Sequence, residues 1–198
     1  MKILVTSGST QVNIDSVRVI TNIFKGKTGN TIAHQLGKAH DVTLLTSNTN
    51  MVPPPQVNEI IKFRTYDELY NKMKEIVKDF DIIIHSAAVS DYKPIPFDGK
   101  ISSDKDELII KLTPTEKIID KIRDWGFNGK LVKFKLQVNT SDEKLVEIAE
   151  KSRIHSNADI IVANCLEWAN ERAYVISDTV IENVKRSKIY ESIVRNLR

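Results

Sequence analysis

The chain has 198 residues, 41% of them apolar and 28% charged, a balance that supports a sizeable core and argues against disorder over its body. Lys plus Arg exceed Asp plus Glu by 29 − 26 = 3, and the basic residues are dispersed, so neither nucleic acid nor a membrane surface is an expected partner. No apolar run approaches the roughly 20 residues of a membrane span, the apolar N-terminal run is too short for a secretory signal, and the lone cysteine, Cys165, excludes an internal disulfide or a cysteine-rich zinc site. A cytoplasmic location is the expectation.

Strand and helix signals alternate almost throughout. Lys2–Ser7 is a continuous apolar strand ending at Gly8. After a long loop, a helix is expected from Thr28 to about Ala39, then a strand over 41–47. Residues 48–57 contain Pro53-Pro54-Pro55 and read as a rigid loop. A strand over 60–64 leads into Thr65-Tyr66-Asp67-Glu68, a capping box that opens a helix to about Phe80. A strand over 81–86 follows. Residues 90–106, with Pro94, Pro96 and Gly99, form a long polar loop, and 107–112 an edge strand or hairpin arm. Thr113-Pro114-Thr115-Glu116 reads as a second capping box, its helix stopped by Gly126. Lys130–Gln137 is a strand, Thr140-Ser141-Asp142-Glu143 a third box with Leu145, Ile148 and Ala149 as the buried stripe, and 158–163 another strand. A closing helix from Ser187 carries Ile189, Ile193 and Leu197. Several strands lack polar alternation, so both faces of the sheet are covered. The fold class is α/β: a doubly wound, Rossmann-like, mainly parallel sheet in one domain over 1–198, with a long flexible loop and a small edge or dimerisation arm at about 90–112.

In such sheets ligands bind beyond the carboxyl ends of the strands. Gly8-Ser9-Thr10 can turn tightly with exposed amides, and Gly26 and Gly29 flank a helix start. Gly26-Lys27-Thr28 resembles the tail of a P-loop, but Thr21 stands where that pattern needs glycine. Nor are the glycines bunched as a dinucleotide fingerprint requires. Arg18 can grip a phosphate, and Asn22 offers a donor and an acceptor to a reacting carbonyl. Small residues Ala87 and Ala88 after a buried strand admit a flat ligand, with Asp91 in reach of a ribose. Lys100, on the long loop, can close over departing phosphates. The histidines lack metal-ligand spacing. Cys165, Trp125 and Trp168 read as packing, and no side chain is set up as a covalent nucleophile.

The segments Val5-Thr6-Ser7-Gly8-Ser9-Thr10, Ile14 to Asn22, Gly26-Lys27-Thr28-Gly29, Ser86 to Tyr92, Lys100-Ile101 and Ile161 to Asn164 closely resemble, in order, the motifs of the phosphopantothenate–cysteine ligase family. The resemblance implies a ligase of coenzyme A biosynthesis that joins 4′-phosphopantothenate to cysteine through an acyl-nucleotide, with CTP favoured over ATP as co-substrate. It implies Asn22 and Lys100 as catalytic residues. Gly8, Ser9, Arg18, Asn22 and Ala88 would bind phosphopantothenate. Ala87, Ala88, Asp91, Lys100, Glu116, Lys117, Ile118, Ile119, Phe134 and Lys151 would bind the nucleotide, with Mg²⁺ carried mainly on its phosphates. The chain begins at the ligase's first strand and is too short for a fused decarboxylase, so a stand-alone homodimer without flavin is implied, the decarboxylase being separately encoded. Departures are Ser9 for a second glycine, Ile23-Phe24-Lys25 before Gly26, Lys133 for a glycine before Phe134, and a shifted spacing after Lys151. The competing readings are a Rossmann-type NAD-dependent oxidoreductase and a non-catalytic nucleotide-binding regulator.

Overall fold

The computed structural model describes residues 1–48 and 56–197, so the Pro53-Pro54-Pro55 loop lies outside the described residues. In chain order the first half comprises β1 (Lys2–Ser7), a hairpin of β2 (Gln11–Asn13) and β3 (Val19–Thr21), α1 (Lys27–Leu36), β4 (Asp41–Thr46), β5 (Glu59–Lys62), α2 (Tyr66–Ile76) and β6 (Ile82–His85). A second hairpin, β7 (Tyr92–Pro94) and β8 (Leu112–Pro114), precedes α3 (Ile118–Lys121). Then follow β9 (Lys130–Gln137), α4 (Asp142–His155), β10 (Ile160–Cys165), β11 (Arg172–Ile176), β12 (Ile181–Lys185) and α5 (Ile189–Asn196).

Eight strands form one sheet in the order β12-β11-β10-β9-β6-β1-β4-β5. From β5 to β10 neighbouring strands are parallel, while β11 and β12 add an antiparallel edge. The parallel part is the doubly wound layout read from the sequence. Strand order reverses between β1 and β6, which makes the gap beyond their carboxyl ends the expected ligand crevice.

Both faces of the sheet are buried, which explains the unbroken apolar runs. Ile3 and Val5 of β1 pack with Ile32 and Leu36 of α1 and Ile189 and Ile193 of α5. Leu4 points the other way, into a cluster with Leu69 and Met73 of α2 and Ile118 and Ile122. Leu145 and Ala149 of α4 cover Ile161, Ala163 and Ile176 on that second face. Burying each large aliphatic side chain contributes about 1.5–3 kcal/mol.

Three local readings change. Leu112–Pro114 pairs antiparallel with β7, so Thr113-Pro114 is strand, not helix cap. The helix starts later, with Lys117 as its N-cap residue. The 107–112 arm therefore contributes to a hairpin only at its last residue. On α4, Ser141 rather than Thr140 is the cap, its Oγ accepting from Lys144 N at 3.3 Å.

Candidate active site

The turn after β1 is built by close packing. Gly8 has φ +89°, and a Cβ there would collide with the Ser47 side chain. The Ser9 amide donates to Ser47 Oγ at 2.8 Å. Across the crevice, Ala88 N donates to Gly8 O at 2.8 Å, and Ala88 O accepts from Thr10 N at 3.1 Å. Thr10 Oγ1 accepts from Ser90 N at 2.8 Å. The segments leaving β1 and β6 are thus stitched together at the reversal point. Asn22, directly after β3, donates through Nδ2 to the same Ala88 carbonyl at 3.2 Å. Behind the turn, Ser7 Oγ donates to Gly26 O at 2.8 Å, and Gly26 enters α1 with φ +78°. A cavity of about 670 Å³ opens beside Ser9, lined also by Thr21, Ser47, Lys62 and Arg64.

Arg18 sits in the β2–β3 turn and is pinned there. Its guanidinium meets Asp15 Oδ2 at 3.1 Å and donates to Ile101 O at 2.9 Å. Asp15 also accepts from the amides of Val17 (2.9 Å), Arg18 (2.7 Å) and Ile101 (3.0 Å). Burial pushes the Asp15 carboxyl up, but those three amides and the Arg18 charge outweigh it and hold it below its usual value. Ser16 N donates to Gly99 O at 2.9 Å, and Gly99 N to Ser16 Oγ at 3.1 Å. Exposed Lys100 is thereby anchored against the Arg18 turn. Two of the Arg18 nitrogens are committed to this clasp, so phosphate gripping is not its sole geometry.

On the other flank of Ala88 lies a cavity of about 170 Å³ lined by Ala87, Asp91, Glu116, Lys117, Ile118, Ile119 and Phe134, together with His85, Lys133, Lys135 and Ser152. Glu116 turns partly away. The Tyr70 hydroxyl at 2.9 Å, and then Lys121, hold its carboxyl below the usual range. Lys151 is not part of this wall; it is exposed and pairs with Glu147 at 2.6 Å. Lys100 does not line it either.

His85 ends β6 beneath the cavity, only 6% exposed, with Nδ1 and Thr6 Oγ1 sharing a bond of 2.9 Å. Burial, helped by the nearby Lys133 charge, pushes its pKa down to about 4. Between pH 6.5 and about 4 the unfolded chain binds a proton at this residue and the native chain does not. Stability contributed by neutral His85 is full above pH 6.5 and is lost as pH falls through about 4. Urea unfolding across that window is expected to show a falling free energy in the wild type. His85→Gln should flatten that part of the slope.

The structure sets Gly8, Ser9 and Asn22 on one side of Ala88 and Ala87, Asp91, Glu116, Lys117, Ile118, Ile119 and Phe134 around the cavity on the other, while Arg18 and Lys100 share the clasp at the β2–β3 turn and Lys151 stands apart. Sequence reasoning missed Asp15 and Ser47, and although it placed Thr10 in the Gly8 turn it missed the bond its hydroxyl accepts from Ser90 N. The Asp-x-x-Arg spacing of Asp15 and Arg18 was the available signal for the first; Thr10 and Ser47 act through pairing that no local pattern reveals. Cys165 is buried, as a packing residue should be. Trp125 stacks edge-on against Tyr70 at 5.0 Å, and Arg172 covers the Trp168 ring at 4.1 Å. Among the described residues no group of three or more His, Cys, Asp or Glu forms a metal cage, and no helix is long and apolar enough to cross a membrane.

This architecture matches known proteins along nearly its whole length. A crystal structure described as the DNA/pantothenate metabolism flavoprotein from Streptococcus pneumoniae is 34% identical, with TM-score 0.89 over 98% of this chain and 97% of that one. The coenzyme A biosynthesis bifunctional protein CoaBC of Methanocaldococcus jannaschii is 32% identical over 100% of this chain and 50% of its own length. The Thermococcus kodakarensis protein of the same name is 34% identical over 84% of this chain and 41% of its own length. The chain thus spans about half the length of these curated relatives. A Cab2 variant in complex with phosphopantothenate-cysteine shares the fold, at 18% identity and TM-score 0.79. The profile of the DNA/pantothenate metabolism flavoprotein C-terminal domain matches residues 1–192, and the chain belongs to that family.

Proposed function

We propose that this chain is a phosphopantothenate–cysteine ligase acting in coenzyme A biosynthesis. The observation that carries the reading is the stitch at Ala88. Its carbonyl holds Asn22 on the side of the Gly8 turn, while the preceding residue, Ala87, lines the cavity with Asp91 and Phe134. Successive residues of an extended segment face opposite sides. Two binding regions one residue apart suit an acid that must meet the α-phosphate of a nucleotide. The relatives named for coenzyme A biosynthesis support the same assignment.

In the first half-reaction a carboxylate oxygen of 4′-phosphopantothenate attacks the α-phosphorus, and the bond to pyrophosphate breaks. Lys100 neutralises charge on the leaving group. Arg18, Ser9 and the Gly8 amides seat the acid, and Ala87, Ala88, Asp91, Phe134 and the 116–119 segment seat base and ribose. The cavity of about 170 Å³ is below the ~300–1,000 Å³ of typical ligand pockets, so part of the nucleotide extends outside it. In the second half the cysteine amine attacks the acyl carbon and expels the nucleoside monophosphate. Asn22 orients that carbonyl; among the described residues its Oδ1 meets no protein donor, which leaves it for the amine. Neither step transfers electrons, so no flavin is needed. CTP is the expected nucleotide over ATP. Asp91, a carboxylate of the cavity wall, could hold a nucleotide-borne Mg²⁺ or its waters, and such an ion would supply charge neutralisation at the phosphates.

The enzyme acts in the cytoplasm as a homodimer, its acid supplied by small-molecule metabolism and its product passed to a separately encoded decarboxylase. Support for the dimer is an apolar groove of about 240 Å³ lined by Pro94, Ile95, Phe97, Leu108, Ile109 and Ile110, in which Ile95 is 86% and Ile109 80% exposed. Ile109→Glu is expected to shift sedimentation from dimer to monomer.

Pyrophosphate release tests the function: the protein is incubated with CTP or ATP, Mg²⁺, 4′-phosphopantothenate and cysteine. Release that requires the acid confirms a ligase. Nucleotide binding without release would establish a regulator instead, and binding of a nicotinamide cofactor an oxidoreductase.

A further inference from the structure

The proposed nucleotide cavity contains a cation that, among the described residues, pairs directly with no carboxylate. Lys133 precedes Phe134 on β9 and is paired with His85 of β6 on one side and Ile161 of β10 on the other. It is central in the sheet and 6% exposed, yet it lines the cavity. Its Nζ donates to Ser152 O and Ser152 Oγ, each at 3.0 Å, and to Ser156 Oγ. All three acceptors are neutral. Among the described residues Lys133 makes no ion pair; the acid behind it, Asp120, is reached only through Ser156 Oγ, which donates to Asp120 Oδ1 at 2.6 Å. Asp120 also lies 3.4 Å from His155 Nε2.

A buried ammonium without a counter-ion is costly. Leu131 and Val132, its neighbours on β9, are fully buried apolar residues, and an apolar side chain at 133 would satisfy the packing. The cavity wall carries Lys117 and Lys135 as well, against the carboxylates Asp91 and Glu116, and Glu116 is already engaged by Tyr70 and Lys121, so cations outnumber carboxylates on this wall. Ser152 and Ser156, one turn apart on and just beyond α4, hold the ammonium at the cavity rather than across the helix. A phosphate oxygen need only replace one hydroxyl acceptor to bind it.

We propose that Lys133 grips the phosphate chain of the nucleotide, aimed by Ser152 and Ser156. It takes the place on this wall that surface-facing Lys151 does not fill. The inference rests on reading this cavity as the nucleotide site. The titratable groups around Lys133 are His85 on β6, Lys117 and Asp120 at α3, Lys135 on β9 and His155 on α4, with Asp91 and Glu116 on the same cavity wall. Burial first, then Lys135 and Lys117, push its pKa down to about 8 against the pull of Asp120. An arriving polyphosphate would raise it again, so binding near pH 8 should take up a proton.

Calorimetry on the full chain tests this, with CTP and ATP as triphosphates and cytidine and adenosine as phosphate-free probes. Lys133→Met is expected to weaken triphosphate binding on the order of 10- to 100-fold and to leave nucleoside binding unchanged. Lys133→Arg should recover most of the loss. Proton uptake at pH 8, read from the dependence on buffer ionisation heat, should be present in the wild type and absent in both variants. The combined Ser152→Ala and Ser156→Ala substitution keeps the charge but frees its aim, and should show an intermediate loss; it carries the test if Lys133→Met does not fold. Unchanged triphosphate binding, or an equal loss for nucleoside and triphosphate, overturns the inference while pyrophosphate release in the wild type leaves the ligase standing. A wild type that binds no nucleotide overturns both.

Discussion

Asn22→Ala is expected to lower kcat by about 10²- to 10³-fold, the range found when one preorganised donor or acceptor is removed from a developing charge. The KM for nucleotide should change little, because Asn22 meets the Ala88 carbonyl on the side of the Gly8 turn, away from the cavity proposed to take the base. The loss should fall on the second half-reaction. With the acyl group no longer oriented toward the amine, acyl-nucleotide accumulates on the enzyme and is recovered by acid quench and mass spectrometry. Lys100→Gln should do the reverse and stop the chain of events before any acyl-nucleotide forms. The contrast matters more than either rate. A common defect in both variants would mean that the two residues do not divide the chemistry as assigned. Asn22 is half-buried and bonds one backbone carbonyl, so its removal should cost less than about 1 kcal/mol of stability.

Gly26→Ala should damage fold and activity together. Its φ of +78° places it in the left-handed region, where a side chain costs about 1–2 kcal/mol. A Cβ would also strike the Gly8 backbone nitrogen and Cα and the Ser7 hydroxyl. Backbone atoms cannot rotate away, so an overpacking penalty of about 1–3 kcal/mol follows. Relief requires α1 to back off from the Gly8 turn, which would disturb the proposed acid site. Gly99→Ala is the informative comparison. Gly99 has φ +96°, yet the nearest atom to its Cβ is a Phe97 ring carbon at 3.8 Å, so only the backbone part of the cost applies. Urea unfolding should rank the two well apart, and pyrophosphate release should fall more steeply in Gly26→Ala.

The parallel sheet was legible because burial on both faces writes itself as runs such as Ile3-Leu4-Val5 and Ile82-Ile83-Ile84. The Thr65 and third-box helices were legible from hydroxyl-to-amide caps, the former with Thr65 Oγ1 accepting from Glu68 N at 3.1 Å. Where reading failed, pairing overrode local chemistry. Thr113-Pro114 has the composition of a helix entry, but Leu112–Pro114 is taken by Tyr92–Pro94. β2 and β3 are three residues each, with β3 exposed throughout, so they carry no apolar period at all. β11 and β12 alternate, with Ala173 and Val175 inward, but the antiparallel edge interrupts a pattern otherwise set by helices between strands. Site residues in a motif on one strand end were found; those that depend on a partner far along the chain, such as Ser47 under Gly8, were not.

The clasp of Asp15 and Arg18 on residues 99–101 turns the β2–β3 turn and the lysine loop into one mechanical piece. A shift of the Gly99–Ile101 segment is thus transmitted to Arg18, and through the short β3 to Asn22 at its far end. If the proposed roles hold, any effect of triphosphate on acid binding carried by this piece must, by reciprocity, be matched by an equal effect of acid on triphosphate binding.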